Sequence, residues 1–223
     1  MRVEIVRASF SVDPARFEPF LSTEERARAA GYAFPRERDR FVISRGLLRE
    51  TLARWGGGTP GGQQILLDPL GKPRLGGTCG QGRLRFNVSH SGDLWACALA
   101  VGVEVGLDVE EIRPERAVES ITRRYFSPGE AGRVLGLEGG ERVAAFHRVW
   151  TRKEAWLKGK GFGITIPLDS FEVSHGAGDA RLLAGGEEGW TLQDLDFGPG
   201  FAGALAVEDG RYDLRSTRMI SFP

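Results

Sequence analysis

The stretch Phe146–Gly161, FHRVWTRKEAWLKGKG, constrains the rest of the chain most. Phe146, Val149, Trp150, Lys153 and Leu157 recur at i, i+3, i+4, i+7 and i+11, so a helix is expected with these positions on one face. Gly159 and Gly161 are expected to stop it. Glu154 and Lys158, four residues apart, stand one turn above the other and can act on the same ligand. Of 30 Lys+Arg only four are lysines (Lys72, Lys153, Lys158 and Lys160), and three of these fall in this window. Arginine serves almost everywhere else, which suggests that a compact, rotatable ammonium is wanted here. A helix end that favours cations is the plainer account of the same cluster.

At 223 residues, one large domain or two packed halves are both open. Thirty acids balance thirty bases and the pI is near 6.9. This argues against nucleic acid as the main partner, because such domains carry a strong basic excess. Cys79 and Cys97 are too few for a zinc site or a disulfide framework. No apolar run approaches the ~20 residues of a membrane span, and the opening residues do not read as a signal peptide. No membrane association and a cytoplasmic location are expected.

Residues 2–11 alternate as an opening strand does. Ser22 followed by Glu25 is a capping-box signature for a helix reaching about Ala30. A second helix is expected from Pro35 to Trp55, ended by Gly56-Gly57-Gly58. Asp68 to Pro73 is a proline-stiffened turn around Lys72, and a glycine-rich loop runs from Gly76 to Gly82. Arg85 to His90 reads as a strand entering the turn Ser91-Gly92-Asp93, and residues 95–101 and 103–110 read as a hairpin around Gly102. Ser127-Pro128-Gly129-Glu130 starts another helix, which Gly136, Gly139 and Gly140 are expected to end before Phe146. Residues 164–173, 190–197 and 201–207 read as strands, and the last dozen residues give no signal. A long helix followed by short strands occurs twice, a hint of internal duplication.

Two constellations can carry chemistry. In Leu107-Asp108-Val109-Glu110 the two acids share one strand face and the apolar pair the other. With Glu154 they offer three oxygen donors, a set that suits Mg²⁺ or Mn²⁺; taken alone, the pair also suits a solvent-facing edge. Asn87-Val88-Ser89-His90-Ser91-Gly92 has serine and histidine, but there is no G-x-S-x-G elbow and neighbours on a strand point apart. A phosphate or ribose contact fits this turn, as does a structural role. Lys72 on its stiff turn could meet an anion, and Arg28, Arg36, Arg40 and Arg45 line the first two helices, as a solvated face would also do.

Taken in order, GKP (71–73), FNVSHSG (86–92), GLDVE (106–110) and W-x-x-K-E-x-x-x-K (150–158) resemble the phosphopantetheinyl transferases. The resemblance is to the long, monomeric, surfactin-synthetase-activating type that serves nonribosomal peptide and polyketide synthases. It covers residues 20–173, with PLDSF at 167–171 continuing it. It implies an α+β, sandwich-like fold of two similar halves with pseudo-twofold symmetry: an N-terminal half of residues 1–104 and a C-terminal half of 105–223, with the active site between them. It implies transfer of the phosphopantetheine arm of coenzyme A to a serine of an apo acyl or peptidyl carrier protein, releasing 3',5'-ADP.

By position, Asp108, Glu110 and Glu154 resemble the Mg²⁺ ligands, with Glu154 also as base, directly or through a water, and Lys158 resembles the pyrophosphate lysine. Lys153 would assist Lys158 or support Glu154. Ser89 and His90 resemble phosphate contacts, and Lys72 and Pro73 neighbours of the adenine. Arg28, Arg40 and Arg45 are candidates for the 3'-phosphate; one family lysine falls here at Glu25. Phe126, Trp156 and Phe162 are candidates for the carrier surface, and each equally suits a core. A metal-dependent phosphodiesterase or pyrophosphatase, and a binding module without catalysis, are the rival readings.

Overall fold

The computed structural model describes residues 3–76, 83–114, 117–161, 166–208 and 218–221. The chain opens with strand β1 (Val3–Ser9), two single 3₁₀ turns, and helices α1 (Thr23–Ala30) and α2 (Pro35–Gly56). A small hairpin of β2 (Ile65–Leu67) and β3 (Pro73–Leu75) precedes β4 (Leu84–Ser91) and β5 (Leu94–Val101). Strand β6 (Val105–Glu111) comes next, followed by α3 (Val118–Tyr125), α4 (Pro128–Leu135) and α5 (Gly139–Lys160). The described residues end with β7 (Glu172–Val173), β8 (Leu182–Ala184), β9 (Trp190–Asp194), β10 (Phe201–Glu208) and β11 (Arg218–Ser221).

Two main sheets result, ordered β11-β1-β5-β4 and β6-β10-β9. A 22-residue helix covers the outer face of each: α2 over the first, α5 over the second. Leu47, Leu48 and Leu52 pack with Val6, Phe86 and Leu99 on one side. Phe146, Val149 and Ala155 pack with Leu192, Ala204 and Ala206 on the other. Between the sheets, Val3, Ile5 and Ala98 meet Leu107, Val109 and Leu205. The layers are therefore helix, sheet, sheet, helix, an α+β fold of two similar halves. The alternation in β1 follows from this: Val3 and Ile5 enter the middle core while Val6 and Ala8 face α2, so one short strand is buried on both faces.

Both capping boxes form: Ser22 with Glu25 and Ser127 with Glu130 exchange side-chain and backbone hydrogen bonds. Other expectations are corrected. Residues 95–101 and 103–110 do not form the expected hairpin around Gly102, because β5 already has β1 on one edge and β4 on the other. β6 leaves this sheet and pairs with β10. Helix α5 starts at Gly139, so Gly139 and Gly140 open a helix where they were expected to close one. Gly159 lies inside α5, and Gly161 alone ends it, in the left-handed conformation at φ 78°. Of the strand expected over 164–173, only Glu172–Val173 pairs; Leu168–Ser170 is a 3₁₀ turn, and residues 162–165 lie outside the described ones. The expected loop at 76–82 lies outside them beyond Gly76. Helix α3 and strand β11 were not anticipated.

Gly159 is in the helix because α5 presses directly on β6. A β-carbon added at Gly106 would stand 1.9 Å from the Ala155 carbonyl oxygen and 2.2 Å from the Gly159 nitrogen. One added at Gly159 would stand 2.5 Å from the Trp190 ring. At Gly106 backbone lies on backbone, so neither the carbonyl oxygen nor the nitrogen can yield by rotating a side chain. Gly106→Ala is expected to destabilise the fold by about 3 kcal/mol, at the upper end of overpacking costs, in urea unfolding followed by circular dichroism.

Candidate active site

Strand β6 carries Asp108 and Glu110 on the face that α5 covers and sends Leu107 and Val109 into the middle core. The Gly106–Gly159 contact brings α5 close enough for Lys158 Nζ to stand 2.6 Å from Asp108 Oδ1. Glu154, one turn earlier, lines the same cleft of about 360 Å³ with Ser89, His90, Asp108, Glu110 and Trp150. The cleft lies on the seam where the edge of the first sheet, β4, runs beside the edge of the second, β6.

That seam is closed by side chains. Asn87 Oδ1 accepts from Leu107 N at 2.9 Å, Ser89 Oγ from Val109 N at 3.2 Å and Ser91 Oγ from Glu111 N at 3.0 Å. Three alternate residues of β4 thus satisfy three alternate N–H groups of β6, at a constant offset of 20 residues. Buried edge N–H groups need partners, and here side chains supply what a backbone ladder would. The two hydroxyls also donate: Ser89 to Asp108 Oδ1 at 3.0 Å and Ser91 to Glu110 Oε2 at 3.3 Å.

Burial pushes the Asp108 carboxyl above its ordinary range, with Glu110 adding to the effect and Lys158 opposing it. Burial and the charges of Asp108 and Glu110 raise Glu154 likewise, again against Lys158. Asp108 Oδ2 is buried without a hydrogen-bond partner. Among the described residues no three metal-binding groups already form a cage; instead the ammonium of Lys158 stands against Asp108. Three mutually repelling carboxylates, one with an orphaned oxygen, fit a hard divalent cation. His90 is held below its usual range by burial and by the charges of Arg40 and Lys158. Its ring meets Phe10 edge-on at 5.6 Å, and Arg40 lies over the Phe10 ring at 3.9 Å. Lys158, His90 and Arg40 therefore form one track of hydrogen-bond donors, cationic at its two ends, leading from the acids toward α2.

The structure brings Asp108, Glu110, Glu154, Lys158, Ser89 and His90 together, as the sequence suggested, with Arg40 at the end of the track. It separates others. Lys153, expected beside the coenzyme, is wholly buried. Its ammonium pairs with Glu130 at 2.8 Å, donates to the carbonyls of Leu168 and Phe171, and stands over the Phe171 ring. The physical reason was already in the periodicity, since Lys153 shares the inward stripe of Phe146 and Val149. Lys72, expected beside the adenine, also turns inward, donating to Glu104 at 2.9 Å, the Val105 carbonyl at 3.1 Å and the Gly159 carbonyl at 2.5 Å. Burial lowers the pKa of both lysines. Pro73 is half-buried at the start of β3, opposite Leu67.

Of the remaining arginine candidates, Arg45 pairs with Glu25 at 3.0 Å beside the buried Arg49, and Arg28 is exposed over Phe41. Phe126 and Trp156 are core residues, which removes them from any carrier surface; Phe162 lies outside the described residues. Gly106 was missed as a site residue, and Asn87 and Ser91 were read only as members of a candidate turn, without roles of their own. The polar alternation Asn87-x-Ser89-x-Ser91 on a strand was the available signal.

A helix–sheet–sheet–helix fold with carboxylates and a lysine converging at its seam defines a class, and sequence comparison names it. The profile of the family described as the 4'-phosphopantetheinyl transferase superfamily matches residues 104–206. The 4'-phosphopantetheinyl transferase HetI of a Nostoc species is 38% identical over 84% of this chain and 78% of its own. The chain belongs to the 4'-phosphopantetheinyl transferase superfamily. The 4'-phosphopantetheinyl transferase Sfp of Bacillus subtilis is 28% identical over 86% of this chain and 84% of its own. Among solved structures, a holo-(acyl-carrier-protein) synthase from Bacillus anthracis in complex with CoA (3',5'-ADP) aligns at 26% identity and a TM-score of 0.39, over 48% of this chain and 96% of that one.

Lys153→Ala would leave the fully buried Glu130 without its cation, and a loss of about 3–5 kcal/mol is expected in urea unfolding. The Glu154 carboxyl has a raised folded-state pKa, so the metal-free protein holds this proton more tightly than the unfolded chain does. That stability is present at low pH and lost as the pH rises through the folded pKa. Glu154→Gln should therefore raise the melting temperature of metal-free protein above neutrality, and the gain should shrink on acidification; calorimetry across pH checks it.

Proposed function

We propose that this protein transfers the 4'-phosphopantetheine arm of coenzyme A to a serine hydroxyl of an apo acyl or peptidyl carrier protein, giving holo carrier protein and 3',5'-ADP. Family membership supports the reaction, and one observation carries it to this chain: Asp108, Glu110, Glu154 and Lys158 meet in one cleft at the seam. No nucleophile of the chain's own is needed there. The Ser89 hydroxyl is engaged with Asp108, Val109 N and Lys158, which disfavours a hydrolase reading. In the same reading the chain divides at 104/105 into two halves with the site between, and acts as a cytoplasmic monomer.

Asp108, Glu110 and Glu154 would hold Mg²⁺, or Mn²⁺ in its place. When bound, the cation supplies charge neutralisation for a pyrophosphate, the main requirement in phosphoryl-type transfer. Lys158, whose side chain is 31% exposed, can turn from Asp108 to a phosphate oxygen and stabilise charge on the departing 3',5'-ADP. Glu154, with its affinity for protons raised by burial, is suited to accept the proton of the carrier serine. His90 and Arg40 would hold the nucleotide phosphates, and Arg40 is our choice for the 3'-phosphate because it alone of the three arginine candidates adjoins His90. A second cleft of about 500 Å³ shares Glu154 and Lys158 but is walled by Tyr125, Leu157, Ile166, Pro167 and Leu168. Its apolar character suits the pantetheine arm and the approach of the carrier.

Intact-mass spectrometry of a panel of apo carriers incubated with this protein, Mg²⁺ and coenzyme A tests the proposal. A gain of one phosphopantetheine, abolished by EDTA, is expected. Coenzyme A cleaved without carrier modification would point to a hydrolase, and coenzyme A bound intact to a binding module. Glu154→Gln should lower turnover at least ~100-fold through loss of base and ligand together; near-native turnover would remove Glu154 from the site.

A further inference from the structure

The side-chain ladder between β4 and β6 does more than close an edge. Each serine hydroxyl has one proton, and one of its two acceptor lone pairs is taken by an N–H of β6, at Val109 for Ser89 and at Glu111 for Ser91. The proton is then aimed at the residue before that N–H, which is Asp108 for Ser89 and Glu110 for Ser91. Asn87, whose Oδ1 accepts from Leu107 N, sets the same register one step earlier, where the residue before the N–H is Gly106 and there is no carboxylate to orient. Lys158 donates to Ser89 Oγ at 3.1 Å, adding a second charged group held by the same hydroxyl.

The two carboxylates belong to one half of the molecule and the hydroxyls that orient them to the other. From this geometry we infer that Ser89 and Ser91 are positioning residues: their hydroxyls fix the carboxylates of Asp108 and Glu110 for cation binding. The inference rests on the proposed function for its metal but not for its hydrogen bonds. Outer hydrogen-bond partners of metal ligands contribute about 10–100-fold to metal affinity.

The test is Mn²⁺ binding to the full chain, without coenzyme A or carrier, followed by electron paramagnetic resonance. Ser91→Ala is expected to weaken Mn²⁺ binding about 10-fold and Ser91→Thr to restore it. In the Glu110→Ala background, Ser91→Ala should weaken binding no further, because the serine acts through that carboxylate. Hydrogen exchange at the Glu111 amide should quicken in Ser91→Ala, with protection elsewhere in β6 retained. Should the alanine variant fold poorly, Ser91→Thr against Ser91→Val gives the same comparison, since the two differ in the hydroxyl alone.

Unchanged Mn²⁺ affinity in Ser91→Ala or Ser91→Val overturns the inference, as does an equal loss in the Glu110→Ala background. Wild-type protein that binds no Mn²⁺ overturns it too. Wild-type protein that binds Mn²⁺ through this ladder and modifies no carrier supports the positioning role and defeats only the proposed reaction.

Discussion

Helix α5 lies on strand β6 with no β-carbon between them, and the chemistry of the seam follows from that one contact. At Gly106 and Gly159 the two backbones approach as closely as chain can approach chain. Lys158, one residue before Gly159, is thereby placed on Asp108, two residues after Gly106. Lys72 then anchors the crossing from the first half, its ammonium reaching the carbonyls of both Val105 and Gly159. A wider spacing would lengthen the Lys158–Asp108 pair and loosen Glu154 with it.

The site stores unfavourable electrostatics that the surrounding fold offsets. Asp108 is buried and Glu154 half-buried, close to each other and to Glu110, which disfavours their charged forms. Lys158 relieves part of this, and the hydroxyls of Ser89 and Ser91 relieve another part. Such tension is characteristic of functional sites, where stability is given up for chemistry. Stabilising ion pairs lie elsewhere, as in Lys153–Glu130, where both groups are dry and fully matched.

Local chemistry was legible in the sequence. Both capping boxes could be read from single residues at fixed spacing, and so could the long helices and the face shared by Asp108 and Glu110. Pairing was not legible: nothing in residues 94–111 tells that β5 is saturated on both edges and that β6 must cross to another sheet. The lysines show why identity alone misleads. Lys72, Lys153 and Lys158 each suited an anion, yet two of the three turn inward onto carbonyls and carboxylates. Only Lys158 falls off the buried stripe of α5 and onto the seam. Gly159 was misread for a similar reason, since a glycine that ends a helix and one that admits a neighbouring strand look alike in sequence.

The two edges of the first sheet are both covered from outside its own half. β11 pairs in parallel with β1, placing Arg218 beside Glu4, and β6 is stitched to β4 by Asn87, Ser89 and Ser91. During synthesis the N-terminal half therefore emerges with one strand edge waiting for residues made more than 200 positions later. Long-range closure of this kind slows folding and leaves open edges exposed to other chains in the interval. The halves resemble each other in architecture, yet the open side of β1 stays unpaired in a nascent chain until β11 has been made.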